Sequence, residues 1–221
     1  MHPMYQEFAE SLDRKDKDRC VELALAKLSR GEIDVVTLYN DVLAPALNAP
    51  AYGDAEGAVR IWEEHARTSI VRTVVENCYP FVIKERKARY GAASARHQHA
   101  VVVCPTEEFH EIGARMVADF FDLCGYAVTF VGANTPQDDI IEAIAHVKPA
   151  FVAISVTNTY SLVAAKRTVE KVLALREREK AGFKVIVGGT AFRANPEMAR
   201  DMGADLLLST FEDIRKLSEV G

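Results

Sequence analysis

The run Glu108-Phe109-His110-Glu111-Ile112-Gly113 combines an acidic residue, a histidine two positions on and a glycine three beyond that. It follows the apolar segment Val101-Val102-Val103-Cys104-Pro105 and opens an apolar-periodic stretch. A strand followed by a helix puts His110 at the carboxyl end of the strand, where open α/β sheets bind their ligands. Neutral imidazole is a good metal ligand, and a carboxylate at Glu108 can fix its tautomer and raise its basicity. Gly113 lets a large group approach the backbone. Taken alone, a histidine in a strand–helix loop is a surface residue.

Two later stretches add weight. Ser155-Val156-Thr157 follows Phe151-Val152-Ala153-Ile154, and Gly188-Gly189 follows Lys184-Val185-Ile186-Val187. By themselves, Ser155 and Thr157 could cap the next helix, and the glycine pair could form a tight turn. The three elements in this order, each at a strand end, resemble the D-x-H-x-x-G, Ser-x-Leu/Thr and Gly-Gly pattern of B12-binding domains over roughly residues 99–219. Glu108 stands where that family carries aspartate. The resemblance implies cobalamin bound with its own base displaced and His110 as lower axial ligand of cobalt. It also implies a nucleotide tail in a slot lined by Ser155, Thr157, Gly188 and Gly189. A glycine pair kept small to admit a flat base would tolerate a bulky replacement without loss of fold.

The first part of the chain carries a second group, Trp62-Glu63-Glu64-His65, with Trp62 and His65 three residues apart on one helical face. Without further context this is a core tryptophan beside an exposed histidine. The Glu-Glu-His run resembles the helical caps of adenosylcobalamin-dependent light sensors, which implies that Trp62, Glu64 and His65 face the upper side of the ring, with His65 a candidate upper ligand. Those caps have a tryptophan ten residues before the Glu-His pair, where this sequence has Asp54.

The elements that must position these residues divide near residues 87–98. Residues 1–86 are helical in pattern: Tyr5 to Leu12; a segment through Val21, Leu23, Leu25 and Leu28 closed by Gly31; a third capped by Asp34 and running through Val35, Leu38, Val42 and Leu43; a turn at Pro50, Gly53 and Gly57; and a long fourth helix through Val59, Trp62, Ile70 and Val74 toward Phe81. Four helices with short turns predict an up-down bundle. The polar stretch 84–96 reads as linker. From residue 99 to 221, continuous apolar strands (from Ala100, Val128, Phe151, Lys184 and Asp205) alternate with helices, one begun at Pro136. This predicts a five-stranded parallel sheet covered on both faces, an α/β domain of flavodoxin-like, Rossmann-type architecture.

Composition bounds the rest. A net charge of −5 without a basic run gives no general attraction to nucleic acid. No apolar stretch is long enough for a membrane span and the first residues lack a signal-peptide core, so a cytoplasmic location is expected. Cys20, Cys78, Cys104 and Cys124 are scattered without C-x-x-C spacing and read as reduced, buried thiols. His97, His99 and His146 read as surface residues rather than a zinc site. A nucleotide-binding reading lacks a G-x-G-x-x-G or P-loop motif after the first strand. No catalytic set can be assembled. The expected roles are a sensor or photoreceptor-like module with an unknown output partner, or the corrinoid methyl carrier of a methyltransferase system. Either would carry adenosyl- or methylcobalamin, and the chain is a candidate homo-oligomer.

Overall fold

The computed structural model describes residues 2–49, 60–91, 98–193 and 195–219. Two compact units are formed, Met1–Glu85 and Arg86–Gly221. The expected turn at Pro50, Gly53 and Gly57, the helix position Val59, residue Asp54 and His97 lie outside the described residues.

The first unit is helical. It comprises α1 (Met4–Asp13), α2 (Lys17–Ser29), α3 (Val35–Leu38), α4 (Ala44–Asn48) and most of α5 (Ile61–Tyr90). Asp16 caps α2 and Asp34 caps α3, each carboxylate accepting a backbone N–H three residues on. A π-helical turn, Tyr39–Leu43, joins α3 to α4, and the Ala44 N–H reaches back to the Tyr39 carbonyl. Pro45 follows with no N–H to donate, so the wider turn falls where the regular ladder must break. Phe8, Leu12, Leu38, Val42, Leu43, Val71 and Val74 fill the core. Arg67, nearly buried, donates to Asp13 (2.8 Å) and to the Ala46 carbonyl (3.0 Å), tying α5 to the ends of α1 and α4.

Residues 84–90 are helical, not linker. Lys, Glu, Arg and Ala are all strong helix formers, and a charged run is as easily a solvated helix face as a loop. Gly91, at φ +79°, follows the end of the helix. Within the second unit, the last turns of α5 are held by an Arg86–Asp122 ion pair and by Arg89 over the Phe211 ring at 5.5 Å.

The second unit is a five-stranded parallel sheet of order β2-β1-β3-β4-β5: β1 (His99–Val103), β2 (Ala127–Gly132), β3 (Phe151–Ser155), β4 (Lys184–Gly188) and β5 (Leu206–Leu208). Between them run α6 (Ile112–Leu123), α7 (Gln137–Val147), α8 (Leu162–Glu179) and α9 (Glu197–Asp201), and α10 (Phe211–Glu219) follows β5. Strands β1, β3 and β4 are buried almost throughout, as the continuous apolar runs require. This is the flavodoxin-like order, in which the chain reverses direction across the sheet between β1 and β3 and opens a crevice at their carboxyl ends. A bulge between Val102 and Val103, opposite Gly132, lies at that same end. No helix among the described residues is long and apolar enough to cross a membrane.

Candidate functional site

His110 lies in the loop from β1 to α6, at the mouth of the crevice, with its side chain 43% exposed. Glu108, in the same loop, is fully buried. The carboxylate Oε1 accepts the His110 ring Nδ1–H at 2.7 Å and the His110 backbone N–H at 2.9 Å. Its Oε2 accepts the Thr157 and Asn158 backbone N–H groups, each at 2.9 Å, from the loop after β3. One carboxylate therefore joins the ends of the two strands that flank the crevice. An ionised carboxylate only accepts, so Nδ1 carries the proton and the lone pair of the neutral ring is on Nε2.

Burial is the largest single influence on Glu108 and raises its pKa, but the hydrogen bonds from the His110 ring and from the Asn158, His110 and Thr157 amides together outweigh it. The result is a carboxyl held at about 2. Glu108 is thus an anion at any physiological pH, which suits it to orient the imidazole. Cys104, at the end of β1, has its thiol pushed up to about 12 by burial and then by Glu108 and Glu111. It is a protonated, buried thiol whose Sγ lies 3.9 Å from the His110 carbonyl oxygen.

The loop itself is strained into place. Glu107 adopts φ +68° and Asn134 φ +48°. The pair is locked by the Glu107 N–H donating to Asn134 Oδ1 (2.9 Å) and the Asn134 N–H donating to the Glu108 carbonyl (2.8 Å). Ser161 Oγ donates to the Glu107 carbonyl at 3.2 Å, and Glu111 Oε2 accepts the Ala133 N–H at 3.1 Å. Sequence reading had no grip on this lattice, although Asn134, before Thr135-Pro136, is the residue type that tolerates a left-handed turn.

The other expected residues separate into groups. Ser155 ends β3, half-buried, and Thr157 follows it in the loop. Asn158, not Ser155 or Thr157, caps the next helical turn, its Oδ1 accepting the Tyr160 N–H at 3.0 Å. Gly188 and Gly189 end β4, one strand over. Their smallness has a cause in the protein's own backbone: a Cβ on Gly188 would lie 2.6 Å from the Leu208 carbonyl oxygen, and one on Gly189 2.2 Å from that of Val156. Gly189 also sits at φ +109°. The expectation that a bulky residue at Gly189 would leave the fold intact is therefore corrected. Gly113 is the opposite case, because a Cβ there would meet nothing within 4 Å. The protein's own packing does not require it, and the space beside the start of α6 is open.

In the helical unit, Trp62, Glu64 and His65 occupy the first two turns of α5. Trp62 is 57% exposed, so it is not a core tryptophan. Lys15 Nζ lies 5.2 Å from its ring centroid and 3.9 Å from Glu63. His65 is exposed and Glu64 half-buried. His99 is not a plain surface residue: it is half-buried on β1 and paired through Nε2 with Thr129 Oγ1 at 2.9 Å. All four cysteines are buried and none forms a disulfide. Among the described residues no cluster of three or more His, Cys, Asp or Glu could hold a metal ion by itself. A single protein nitrogen on a metal suits a metal that brings its other ligands with it.

Residues 98–216 match the family model described as the B12 binding domain. The HTH-type transcriptional repressor CarH of Myxococcus xanthus is 28% identical over 71% of this chain and 48% of its own length, so the chain spans about half of that relative. The trimethylamine corrinoid protein 1 of Methanosarcina acetivorans is 24% identical over 90% of this chain and 88% of its own. The solved monomethylamine corrinoid protein of Methanosarcina barkeri shares the fold with a TM-score of 0.78, covering 99% of this chain and 98% of its own at 16% identity.

Proposed function

This chain belongs to the B12-binding domain family, and from that premise we propose that it holds a cobalamin base-off, with His110 Nε2 on cobalt from below. The observation that carries the reading is the buried Glu108 carboxylate, which fixes the His110 ring through Nδ1 at the crevice between β1 and β3. The residues present suit such a group: one exposed, oriented imidazole and a glycine beside it with open space. Ser155 and Thr157 at the end of β3, with the glycine-tight end of β4, would line the place of the nucleotide tail. The chemistry a bound corrinoid supplies is that of its cobalt–carbon bond, which light can cleave or methyl transfer can use.

As to role, the proposal is a sensor or photoreceptor-like module. Trp62, Glu64 and His65 support it: an exposed tryptophan can shield a bulky upper ligand, a carboxylate can bond a ribose hydroxyl, and an exposed imidazole can take a vacated position on the metal. A corrinoid methyl carrier is the second reading, favoured by the near full-length match to a trimethylamine corrinoid protein. Protein reconstituted in the dark with adenosyl- or methylcobalamin tests both levels. A base-off, histidine-ligated spectrum lost in His110→Ala is expected, and an unchanged spectrum in that variant would remove the ligand assignment. Green light should then give a stable bis-histidine spectrum in wild type and a water-ligated one in His65→Ala. If light leaves no lasting change and the His65 variant behaves as wild type, the carrier reading replaces the sensor.

A further inference from the structure

Two large apolar side chains on the loops that meet at Glu108 face solvent: Phe109 is 67% exposed and Tyr160 86% exposed. Val163, one turn further along at the start of α8, is 62% exposed. Scattered exposed apolar residues need no explanation, but these are held outward by built structure. Phe109 lies between Glu108, which is buried and fully engaged, and His110, in the loop whose left-handed Glu107 is locked by Asn134. Tyr160 follows Asn158, whose N–H donates to Glu108 Oε2 and whose Oδ1 accepts the Tyr160 N–H. A continuous hydrogen-bonded track thus runs from the His110 ring through Glu108 and Asn158 to Tyr160. Ser161 closes the circuit on the Glu107 carbonyl. Both aromatics lie on loops whose backbones are tied to the carboxylate that holds the imidazole, at the ends of adjacent strands β1 and β3.

We infer that Phe109 and Tyr160, with Val163 at the rim, form an apolar floor for the lower face of the corrin macrocycle around the cobalt-bound His110. The inference rests on the reading that His110 takes cobalt. A metal at the centre of a broad planar macrocycle cannot reach that imidazole without the ring covering its immediate neighbours. Aromatic and aliphatic surface is what such a ring's lower face would bury. The floor makes recognition depend on the ring itself, not only on the metal or the nucleotide tail.

The test titrates apo-protein with hydroxocobalamin and with cobinamide, the same corrin without the nucleotide tail, following absorption. Phe109→Ser and Tyr160→Ser should each weaken both ligands by about tenfold, the scale of losing a buried aromatic contact. Far-UV circular dichroism and the melting temperature should be unchanged, since both side chains are exposed. Tyr160→Phe keeps the ring and should bind as wild type. Unchanged binding of both ligands by the serine variants would overturn the inference and leave the patch to a protein partner. Loss of cobalamin with cobinamide retained would also overturn it, by assigning the residues to the tail. A Tyr160→Phe variant as weak as Tyr160→Ser would do the same, by moving the role to the hydroxyl. If wild type takes up neither corrinoid, the reading beneath the inference falls with it. If wild type binds and the variants match it, only the floor falls.

Discussion

Glu108→Gln is the substitution that most directly tests the physical account of the site, because it keeps the shape and removes the charge. The carboxylate takes four hydrogen bonds in a fully buried position, two on each oxygen. An amide can serve the donors on one side only. Its NH2 then faces either the Thr157 and Asn158 N–H groups or those of His110, donor against donor. The depression of the carboxyl from 4.5 to about 2 follows from the folded site's preference for the anion over an uncharged carboxyl. That difference corresponds to roughly 3 kcal/mol. The sign follows from the direction: a folded pKa below the unfolded one gives stability that is full above about 4.5 and is lost as pH falls through about 2. At neutral pH, cofactor-free Glu108→Gln should therefore be less stable than wild type by roughly 3 kcal/mol in urea unfolding followed by circular dichroism, or by about 10 °C in melting temperature. The gap should narrow in acid, where wild type loses the same contribution. A Gln variant within about 0.5 kcal/mol of wild type at neutral pH, the range of an ordinary surface substitution, would refute the reasoning.

Much of the fold could be read from the sequence because its signals are local. Val101-Val102-Val103, Phe151 to Ile154 and Val185 to Val187 are short apolar runs rich in β-branched residues with turn residues beyond them, the pattern of strands buried on both faces. Asp34 announced its helix because a cap acts on an N–H three residues away. The last turns of α5 were misread for an equally local reason: composition cannot distinguish a solvated helical face from a charged linker. The π turn at Tyr39–Leu43 had no visible signal beyond Pro45, which is compatible with an ordinary helix start.

The site was legible only as a pattern of residue types. Glu108 and His110 are two positions apart, so their bond could be anticipated. The two amides on the other oxygen are 49 and 50 residues further along, and nothing in the spacing pairs them. The same holds for the glycines. Whether a glycine serves a ligand or its own backbone depends on what lies opposite. Leu208, which faces Gly188, ends β5, and Val156, which faces Gly189, follows β3. Exposed aromatics are similarly silent, because Phe109 and Tyr160 resemble core residues until the loops that turn them outward are known.

The glycines give two further predictions of opposite character. Gly189→Ala should lose stability before it loses anything else, because φ +109° and a carbonyl 2.2 Å from the new Cβ both resist it. A variant that melts with wild type would show that the ends of β3 and β4 are looser than their hydrogen bonds indicate. Gly113→Ala should do the reverse, since the new methyl meets nothing within 4 Å beyond the backbone of its own helix and its chain neighbours, and it replaces glycine in the first turn of α6. Its folding stability should stay level or rise by up to about 1 kcal/mol, the helix preference of alanine over glycine, while cobalamin affinity falls, because the methyl projects into the open space through which a ligand would approach His110. Equal affinity with raised stability would mean that the open space beside α6 is not where the cofactor approaches, and the placement of the ring over the β1–α6 loop would have to be abandoned.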